Sequence, residues 1–238
     1  MKSVLLFDLG NTLVQYYEAR DFPAILKQAI VEVQGYLSQN GLLHVSEDNL
    51  WCRVREEDHS SSDYRVRPLE ERLARIFELD NLPNDSRVAV AMCRCFMKPI
   101  FARGYCYEDS LPALRELKEK GYRTAIISNT SWGSPAYLWR EELNRLGLSA
   151  YMDTVVFCRD VGWRKPARQI FLYALEKLSA LPQDCVFVGD EPKWDVVGPR
   201  AVGITPILID RSGASQSSVE PKTIRTLNEL LHNLTLLK

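Results

Sequence analysis

The sequence predicts an α/β protein, built on a parallel sheet with a block of α-helices inserted early in the chain. The chain has 238 residues, of which 46% are hydrophobic and 26% charged, enough for one sizeable core or two modest ones. From Asp109 onward, short apolar runs alternate with helical segments, which is the pattern of βαβ units. Between Tyr16 and about Phe101 the periodicity is helical throughout, so this stretch interrupts the strand pattern as an insert.

The first apolar run, Val4 to Phe7, is continuous and ends at Asp8, as expected for a buried parallel strand that enters a tight turn. The same pattern predicts four later strands, at 123–127, 155–157, 186–188 and 206–209. Between and after them the periodicity predicts helices at 110–120, 167–178 and 223–237, and one that Ser134 caps, with Pro135 at its first position and Gly147 at its end. The insert is predicted to hold helices at 22–38, 47–57, 69–79 and 85–101. The order of the strands within the sheet does not follow from these patterns.

Composition and charge argue against several classes of protein. Thirty Lys and Arg against 31 Asp and Glu leave a net charge of -1 without a basic block, so we expect no nucleic-acid partner. No stretch of about 18 apolar residues predicts a membrane span, and the N-terminus lacks the features of a signal peptide. The six cysteines lack CxxC spacing and lie mostly in apolar runs, so we expect buried, reduced thiols in a cytoplasmic protein.

Polar residues follow the predicted strands at the edge of the sheet where α/β proteins bind ligands. The first strand leads to Asp8, Asn11 and Thr12, the second to Ser128 and Asn129, and the fourth to Asp190 and Asp195; the loop after the third strand adds Lys165. Carboxylates that converge on one point repel one another unless a cation joins them. An all-oxygen ligand set without His or Cys suits Mg²⁺, which commonly bridges to a substrate phosphate.

Four short segments resemble the four motifs of the haloacid dehalogenase superfamily, in order and at compatible separations. They are the segments 7–13, 127–129, 165–166 and 189–195. Each is weak alone, but four in register are specific, and the helical insert lies where capped members of the family carry one. The resemblance implies a Rossmann-like core formed by residues 1–15 and 102–238, and a helical cap formed by residues 16–101.

The resemblance also implies roles for individual residues. Asp8 would be the nucleophile that forms an aspartyl-phosphate on a small phosphorylated metabolite. Lys165 would neutralise charge and Ser128 would donate to a phosphoryl oxygen, while Asp195 would orient Lys165 or metal-bound water. The metal would be held by its predicted ligands, which are Asp8, the carbonyl of Gly10 and Asp190. Phosphate would be bound by Asn129 and by the backbone near Asn11 and Thr12.

Gly10 departs from the family pattern, because most phosphatases of the family carry a second aspartate there that protonates the leaving group. General acid catalysis supplies about 10²–10⁴-fold, so we expect alkyl phosphates to react slowly and acyl or aryl phosphates to be less affected. Water, or an insert residue such as Tyr16, Tyr17 or Glu18, is an alternative proton donor. Nothing in the sequence selects among these.

Other interpretations remain open at this point. Asp8 and Asp190 could cap a turn or a helix, Ser128 could satisfy a turn, and Lys165 could be a solvated loop residue. Two rival functions are a metal-independent dehalogenase, which also lacks the second aspartate, and a binding or regulatory protein that has lost its acid. The carboxylate of Asp190 favours the phosphatase, since attack on carbon gains nothing from a Mg²⁺ ligand. The oligomeric state does not follow from the sequence.

Overall fold

A six-stranded parallel sheet forms the centre of the protein in this computed structural model, which describes residues 3–57, 62–79, 82–84, 86–213 and 222–234. The strands, in chain order, are β1 (Val4–Phe7), β2 (Val14–Gln15), β3 (Tyr105–Cys106), β4 (Arg123–Ser128), β5 (Thr154–Phe157), β6 (Cys185–Gly189), β7 (Thr205–Ile209) and β8 (Thr223–Ile224). Within the sheet the order is β5-β4-β1-β6-β7-β8, and every neighbouring pair is parallel. β2 and β3 form a separate antiparallel pair.

Ten α-helices surround these strands in the described part of the chain. They are α1 (Phe22–Gln39), α2 (Glu47–Glu56), α3 (Leu69–Ile76), α4 (Arg87–Phe101), α5 (Ser110–Glu119), α6 (Ala136–Arg145), α7 (Cys158–Val161), α8 (Arg168–Leu178), α9 (Gly198–Arg200) and α10 (Leu227–Leu234). A π-helical turn, Pro192–Val197, lies between β6 and α9. The predicted α/β fold with a parallel sheet is confirmed. No helix among the described residues has both the length and the apolar character needed to cross a membrane.

β1, near the middle of the sheet, is apolar and buried along its whole length. All four residues of β1 are fully buried, and β1 pairs with β4 on one side and β6 on the other. A strand that is covered by helices on both faces needs apolar side chains pointing both ways, which is why its sequence is a continuous apolar run. The end of such a strand is a fixed point, so it places the next residue, Asp8, with little freedom.

The four helices of the insert, α1 to α4, lie between β2 and β3 in the chain. α1 packs along α4, and the buried side chains of both helices join the main hydrophobic cluster. Ser46 and Ser86 begin α2 and α4 by accepting hydrogen bonds from the backbone of Asn49 and Ala89. The division into a core of residues 1–15 and 102–238 and a cap of residues 16–101 stays a prediction.

Several local expectations were wrong. α6 begins at Ala136 and Ser134 does not cap it; the Ser134 hydroxyl instead accepts a hydrogen bond from the indole of Trp139 at 2.8 Å. The predicted helix at 223–237 begins only at Leu227, because Thr223 and Ile224 pair with β7 as an edge strand. Its last three predicted residues, 235–237, and position 85 of an insert helix lie outside the described residues. Cys52 is exposed rather than buried, whereas the thiols that lie deepest are Cys93, Cys158 and Cys185.

Candidate active site

A buried lysine joins two carboxylates at the carboxyl edge of the sheet. The Nζ atom of Lys165 lies 2.7 Å from Oδ1 of Asp8 and 2.7 Å from Oδ1 of Asp195. Lys165 is only 2% exposed, so its charge depends on these two partners for stabilisation. Burial alone would lower the pKa of Lys165, but Asp195 and Asp8 raise it above its usual value. The lysine is therefore a fixed cation beside the Asp8 carboxylate.

Three aspartates converge at this edge. Asp8, Asp190 and Asp195 each place a carboxylate oxygen within 4.8 Å of the others. Burial, and then Asp8 and Asp195, raise the pKa of Asp190 to about 7. Burial and Asp8 likewise raise the pKa of Asp195 to about 6, although Lys165 lowers it. One lysine does not neutralise three carboxylates, so the cluster keeps an excess of negative charge when all three are ionised. Its oxygen-only donor set fits a divalent cation.

Asp195 reaches this cluster because β6 ends in a glycine. A Cβ atom built on Gly189 would lie 2.4 Å from Cγ of Asp195, closer than any packed pair tolerates. The π-helical turn returns the Asp195 side chain over the end of β6, where its Oδ2 accepts a hydrogen bond of 3.1 Å from the backbone of Glu191. Any side chain at position 189 would displace the carboxylate that holds Lys165.

Asn129 holds the loop that carries the lysine. Its Oδ1 accepts a hydrogen bond of 2.8 Å from the backbone of Lys165, and its Nδ2 donates to the carbonyl of the same residue at 3.4 Å. Ser128, the last residue of β4, is buried, and its hydroxyl donates to the carbonyl of Asn129 at 3.2 Å. β4 thus delivers both side chains to the edge where Asp8 and Lys165 meet, and their contacts with phosphate stay predictions.

The turn after β1 brings the remaining candidates to the cluster. Thr12 is fully buried, and its hydroxyl donates to Oδ1 of Asp190 at 3.3 Å. Asn11 has a left-handed backbone, with φ of 54°, and its backbone N–H donates to the carbonyl of Val14 at 2.7 Å. That N–H is therefore engaged within the turn. Gly10 lies in the same turn and has no side chain that could donate a proton.

None of the three insert residues named as alternative acids directs a polar atom at Asp8 through a contact in the described part of the chain. The Tyr17 hydroxyl pairs with Ser131 at 3.4 Å, and Glu18 pairs with Arg20 at the surface. The ring of Tyr16 lies beside Gly10, but its buried hydroxyl has no hydrogen-bond partner. Burial and Glu142 hold the pKa of Tyr16 well above its usual value, so it releases a proton poorly.

Sequence reasoning missed one charged side chain at this edge. Arg211 follows β7 by two residues, and its guanidinium donates to the backbone carbonyl of Thr12. The rule that selected Asp8, Ser128 and Asp190, that polar residues after an apolar run face the site, also selects Arg211 when it is applied to the fifth predicted strand.

Comparisons with known proteins agree with this architecture. The family model of haloacid dehalogenase-like hydrolases matches residues 2–203. A curated relative, the ribulose-1,5-bisphosphate 5-phosphatase of Halopiger xanaduensis, is 26% identical over 98% of this chain and 95% of its own length. The crystal structure of a HAD phosphatase from Thermococcus onnurineus covers 98% of both chains, with 28% identity and a TM-score of 0.67. A 2-haloacid dehalogenase from Pseudomonas syringae covers both chains fully, at 22% identity and a TM-score of 0.71, which shows the fold alone.

A parallel α/β sheet whose carboxyl edge carries a lysine-bridged set of aspartates defines a class of hydrolases. The chain belongs to the haloacid dehalogenase-like hydrolase family. The predicted family and the prediction that the protein is an enzyme of the hydrolase class are both confirmed.

Proposed function

We propose that this hydrolase is a Mg²⁺-dependent phosphatase of small phosphorylated metabolites and that it works through an aspartyl-phosphate on Asp8. The observation that carries the proposal is the pair of 2.7 Å contacts from Lys165 to Asp8 and Asp195, beside the Asp190 carboxylate. The phosphatases that resemble the chain over nearly its whole length support the same reaction class.

In the first step an oxygen of Asp8 attacks phosphorus, and the bond from phosphorus to the leaving oxygen breaks. Lys165 donates to Asp8 and offsets the charge that opposes attack on a phosphate dianion. Ser128 donates to a phosphoryl oxygen, and Asn129 keeps Lys165 in place through its backbone. Water then attacks phosphorus, which releases inorganic phosphate and regenerates the Asp8 carboxylate.

Mg²⁺, held by Asp8, Asp190 and the carbonyl of Gly10, would supply charge neutralisation for the phosphate group. The raised pKa of Asp190 supports this assignment, because a carboxyl group that resists ionisation on its own is stabilised as a carboxylate by a bound cation. All six cysteines lie in the described residues as thiols, which fits the reducing cytosol as the compartment of the enzyme.

The proposal is tested with the purified chain and a panel of sugar phosphates, acyl phosphates and aryl phosphates, each assayed with Mg²⁺ and again with EDTA. We expect phosphate release that EDTA abolishes and excess Mg²⁺ restores. A 2-haloacid is included in the panel, since Gly10 is also compatible with a dehalogenase. Halide release that persists in EDTA would replace the phosphatase with that function, and the absence of both activities would favour a binding protein.

A further inference from the structure

Arg211 makes a dense set of contacts just outside the cluster of Asp8, Asp190 and Asp195. Its Nε and Nη2 atoms donate to the carbonyl oxygen of Thr12 at 3.1 and 2.6 Å. Its Nη1 and Nη2 atoms also donate to the two carboxylate oxygens of Asp109 at 3.1 and 3.0 Å. The guanidinium carbon lies 3.7 Å from the centre of the Tyr107 ring. Both charged side chains are mostly buried, with 15% of the Arg211 side chain and 10% of the Asp109 side chain exposed.

These contacts fix Arg211 from two sides. Asp109 precedes α5 and its Oδ2 also accepts from the backbone of Leu227, so the carboxylate belongs to a rigid part of the core. Tyr107 is tied to the turn after β1, because its backbone amide donates to the carbonyl of Leu13 at 3.2 Å. A planar guanidinium that stacks on a ring and forms a bidentate ion pair has little freedom to move.

Thr12 is the residue through which Arg211 reaches the candidate metal site. The carbonyl of Thr12 is held by Arg211, and the hydroxyl of the same residue donates to Oδ1 of Asp190. Without the guanidinium, the carbonyl of the buried Thr12 would lose the two hydrogen bonds that Nε and Nη2 of Arg211 donate to it, and the peptide would turn to satisfy the carbonyl. Such a turn would move the Thr12 side chain away from the Asp190 carboxylate.

We propose that Arg211 is a positioning residue, which sets the orientation of the Asp190 carboxylate through Thr12. The inference rests on the proposed function, since it assigns Asp190 as a metal ligand. Groups that orient metal ligands typically contribute about 10–100-fold to metal affinity or activity. Arg211 does not contact Asp190 directly among the described interactions; it contacts Thr12, which contacts Asp190, so its effect on the site passes through the Thr12 backbone.

The first experiment compares Arg211→Met with a matched control, Arg123→Met. Arg123 also donates to a backbone carbonyl, that of Leu178 at 2.6 Å, but it lies at the opposite edge of the sheet. We expect Arg211→Met to weaken Mg²⁺ binding, measured by calorimetry on the substrate-free protein, by about tenfold. We expect kcat/KM to fall by about 10²-fold, mainly through kcat, because a small misplacement of a reacting group has effects of this size. Arg123→Met should change only the thermal stability.

Two further variants separate positioning from general stability. Arg211→Ala opens a space against Tyr107, and millimolar ethylguanidinium should restore part of its Mg²⁺ affinity and kcat, whereas it should leave Arg123→Ala unchanged. Thr12→Val removes the hydroxyl that donates to Asp190 but keeps the backbone carbonyl that Arg211 contacts. If Arg211 acts through Thr12, the effects of Arg211→Met and Thr12→Val on Mg²⁺ affinity should be clearly less than additive.

The outcomes distinguish this inference from the proposed function. A parent protein that neither binds Mg²⁺ nor releases phosphate would overturn both. A parent that does both, with Arg211→Met matching Arg123→Met in Mg²⁺ affinity and kcat, would overturn the role of Arg211 alone. Strictly additive effects in the pair with Thr12→Val, or failure of ethylguanidinium to restore Mg²⁺ affinity to a folded Arg211→Ala protein, would do the same.

Discussion

Two aspartates at opposite edges of the sheet have opposite ionisation behaviour. Asp153 directly precedes β5, and Nζ of Lys118 lies 2.8 and 2.7 Å from its two carboxylate oxygens, while the backbone of Thr124 donates to it at 2.7 Å. Burial tends to raise the pKa of Asp153, but the Lys118 and Thr124 hydrogen bonds lower it below its usual value. At the other edge, Asp190 directly follows β6, and burial, Asp8 and Asp195 raise its pKa to about 7.

The difference lies in both burial and partners, because the Asp153 side chain is 35% exposed whereas Asp190 is half-buried beside two other carboxylates. Asp153 has its own lysine, so the fold stabilises its charge and the carboxylate contributes to stability. Lys165, by contrast, is shared by Asp8 and Asp195 and makes no direct contact with Asp190 among the described interactions. A fold that keeps an under-neutralised carboxyl group in a cluster is giving up stability at that point, which is typical of a functional site. Asp153 thus supports the fold at one edge, whereas the proposed role of Asp190 at the other edge is chemical.

The largest expected effect comes from removing the charge of Asp8, the proposed nucleophile. Asp8→Asn keeps the shape of the side chain, and Lys165 keeps its contact with Asp195, so the protein should stay folded. Phosphate release should fall to the background rate, because an amide does not form the covalent intermediate. The matched variant Asp153→Asn should keep full activity and lose about 1 kcal/mol of unfolding free energy. Wild-type turnover by a folded Asp8→Asn protein would disprove the assignment of Asp8.

The next effect concerns the metal. Asp190→Asn preserves an oxygen that Thr12 can donate to but removes a negative charge from the cluster. We expect Mg²⁺ affinity, measured by calorimetry, to fall by more than about tenfold, because the lost attraction at short range exceeds 1.4 kcal/mol. Asp153→Asn again serves as the control and should leave the titration unchanged. An unchanged titration for Asp190→Asn would show that the cation binds elsewhere.

Much of this edge was predictable from the sequence because it depends on short-range patterns. The five strands recognised as apolar runs lie within one residue of their predicted ends, since strands covered on both faces need continuous apolar sequence. Asp8 and Asp190 directly follow two of the observed strands, so predicting those strands also predicted that both aspartates lie at the carboxyl edge.

What escaped prediction depends on contacts between distant parts of the chain. β2, β3 and β8 have two residues each, too few for any periodicity, and they exist only because their partners lie beside them. The sheet order, the hydrogen bond from Thr12 to Asp190, and the ion pair of Arg211 with Asp109 all join residues far apart in sequence. No local pattern encodes such pairs.

A moderate effect is expected when the family's acid is restored at Gly10. The structure removes the main objection to Gly10→Asp, because Gly10 does not adopt a positive φ and a Cβ there would meet only Tyr16, at 3.9 Å. We expect turnover of alkyl phosphates to rise by up to about 10²-fold, with a smaller gain for aryl and acyl phosphates. The measurement is the slope of log kcat/KM against the pKa of the leaving group, which should flatten.

The stability of Gly10→Asp is measured alongside, because a fourth carboxylate near Asp8 adds repulsion in the absence of Mg²⁺. A stably folded variant with the parental slope would show that another group already donates the proton. In that case the absence of an acid at Gly10 would not limit the rate.

The smallest expected effect, and the sharpest test of the comparison, is the pH dependence of stability in the metal-free protein. Asp190 binds a proton in the folded state below pH 7, whereas in the unfolded chain it does so only below about 3.9. Between these values the folded state binds more protons, so its contribution to stability falls as pH rises from about 4 to 7. Relative to the parent, Asp190→Asn should therefore become more stable across this range, as measured by urea unfolding in EDTA.

Asp153 should give the opposite sign. Its folded pKa lies below the unfolded value, so its stabilising contribution is present above about pH 3.9 and is lost as pH falls through the folded pKa. Relative to the parent, Asp153→Asn should be less stable at neutral pH, and the gap should close only in acid. Above pH 5, saturating Mg²⁺ should abolish the difference between the parent and Asp190→Asn in the slope of unfolding free energy against pH, since a bound cation keeps Asp190 ionised. The pH dependence of Asp153→Asn should stay unchanged by Mg²⁺. Equal slopes for both aspartate variants without Mg²⁺ would mean that the two edges of the sheet do not differ electrostatically.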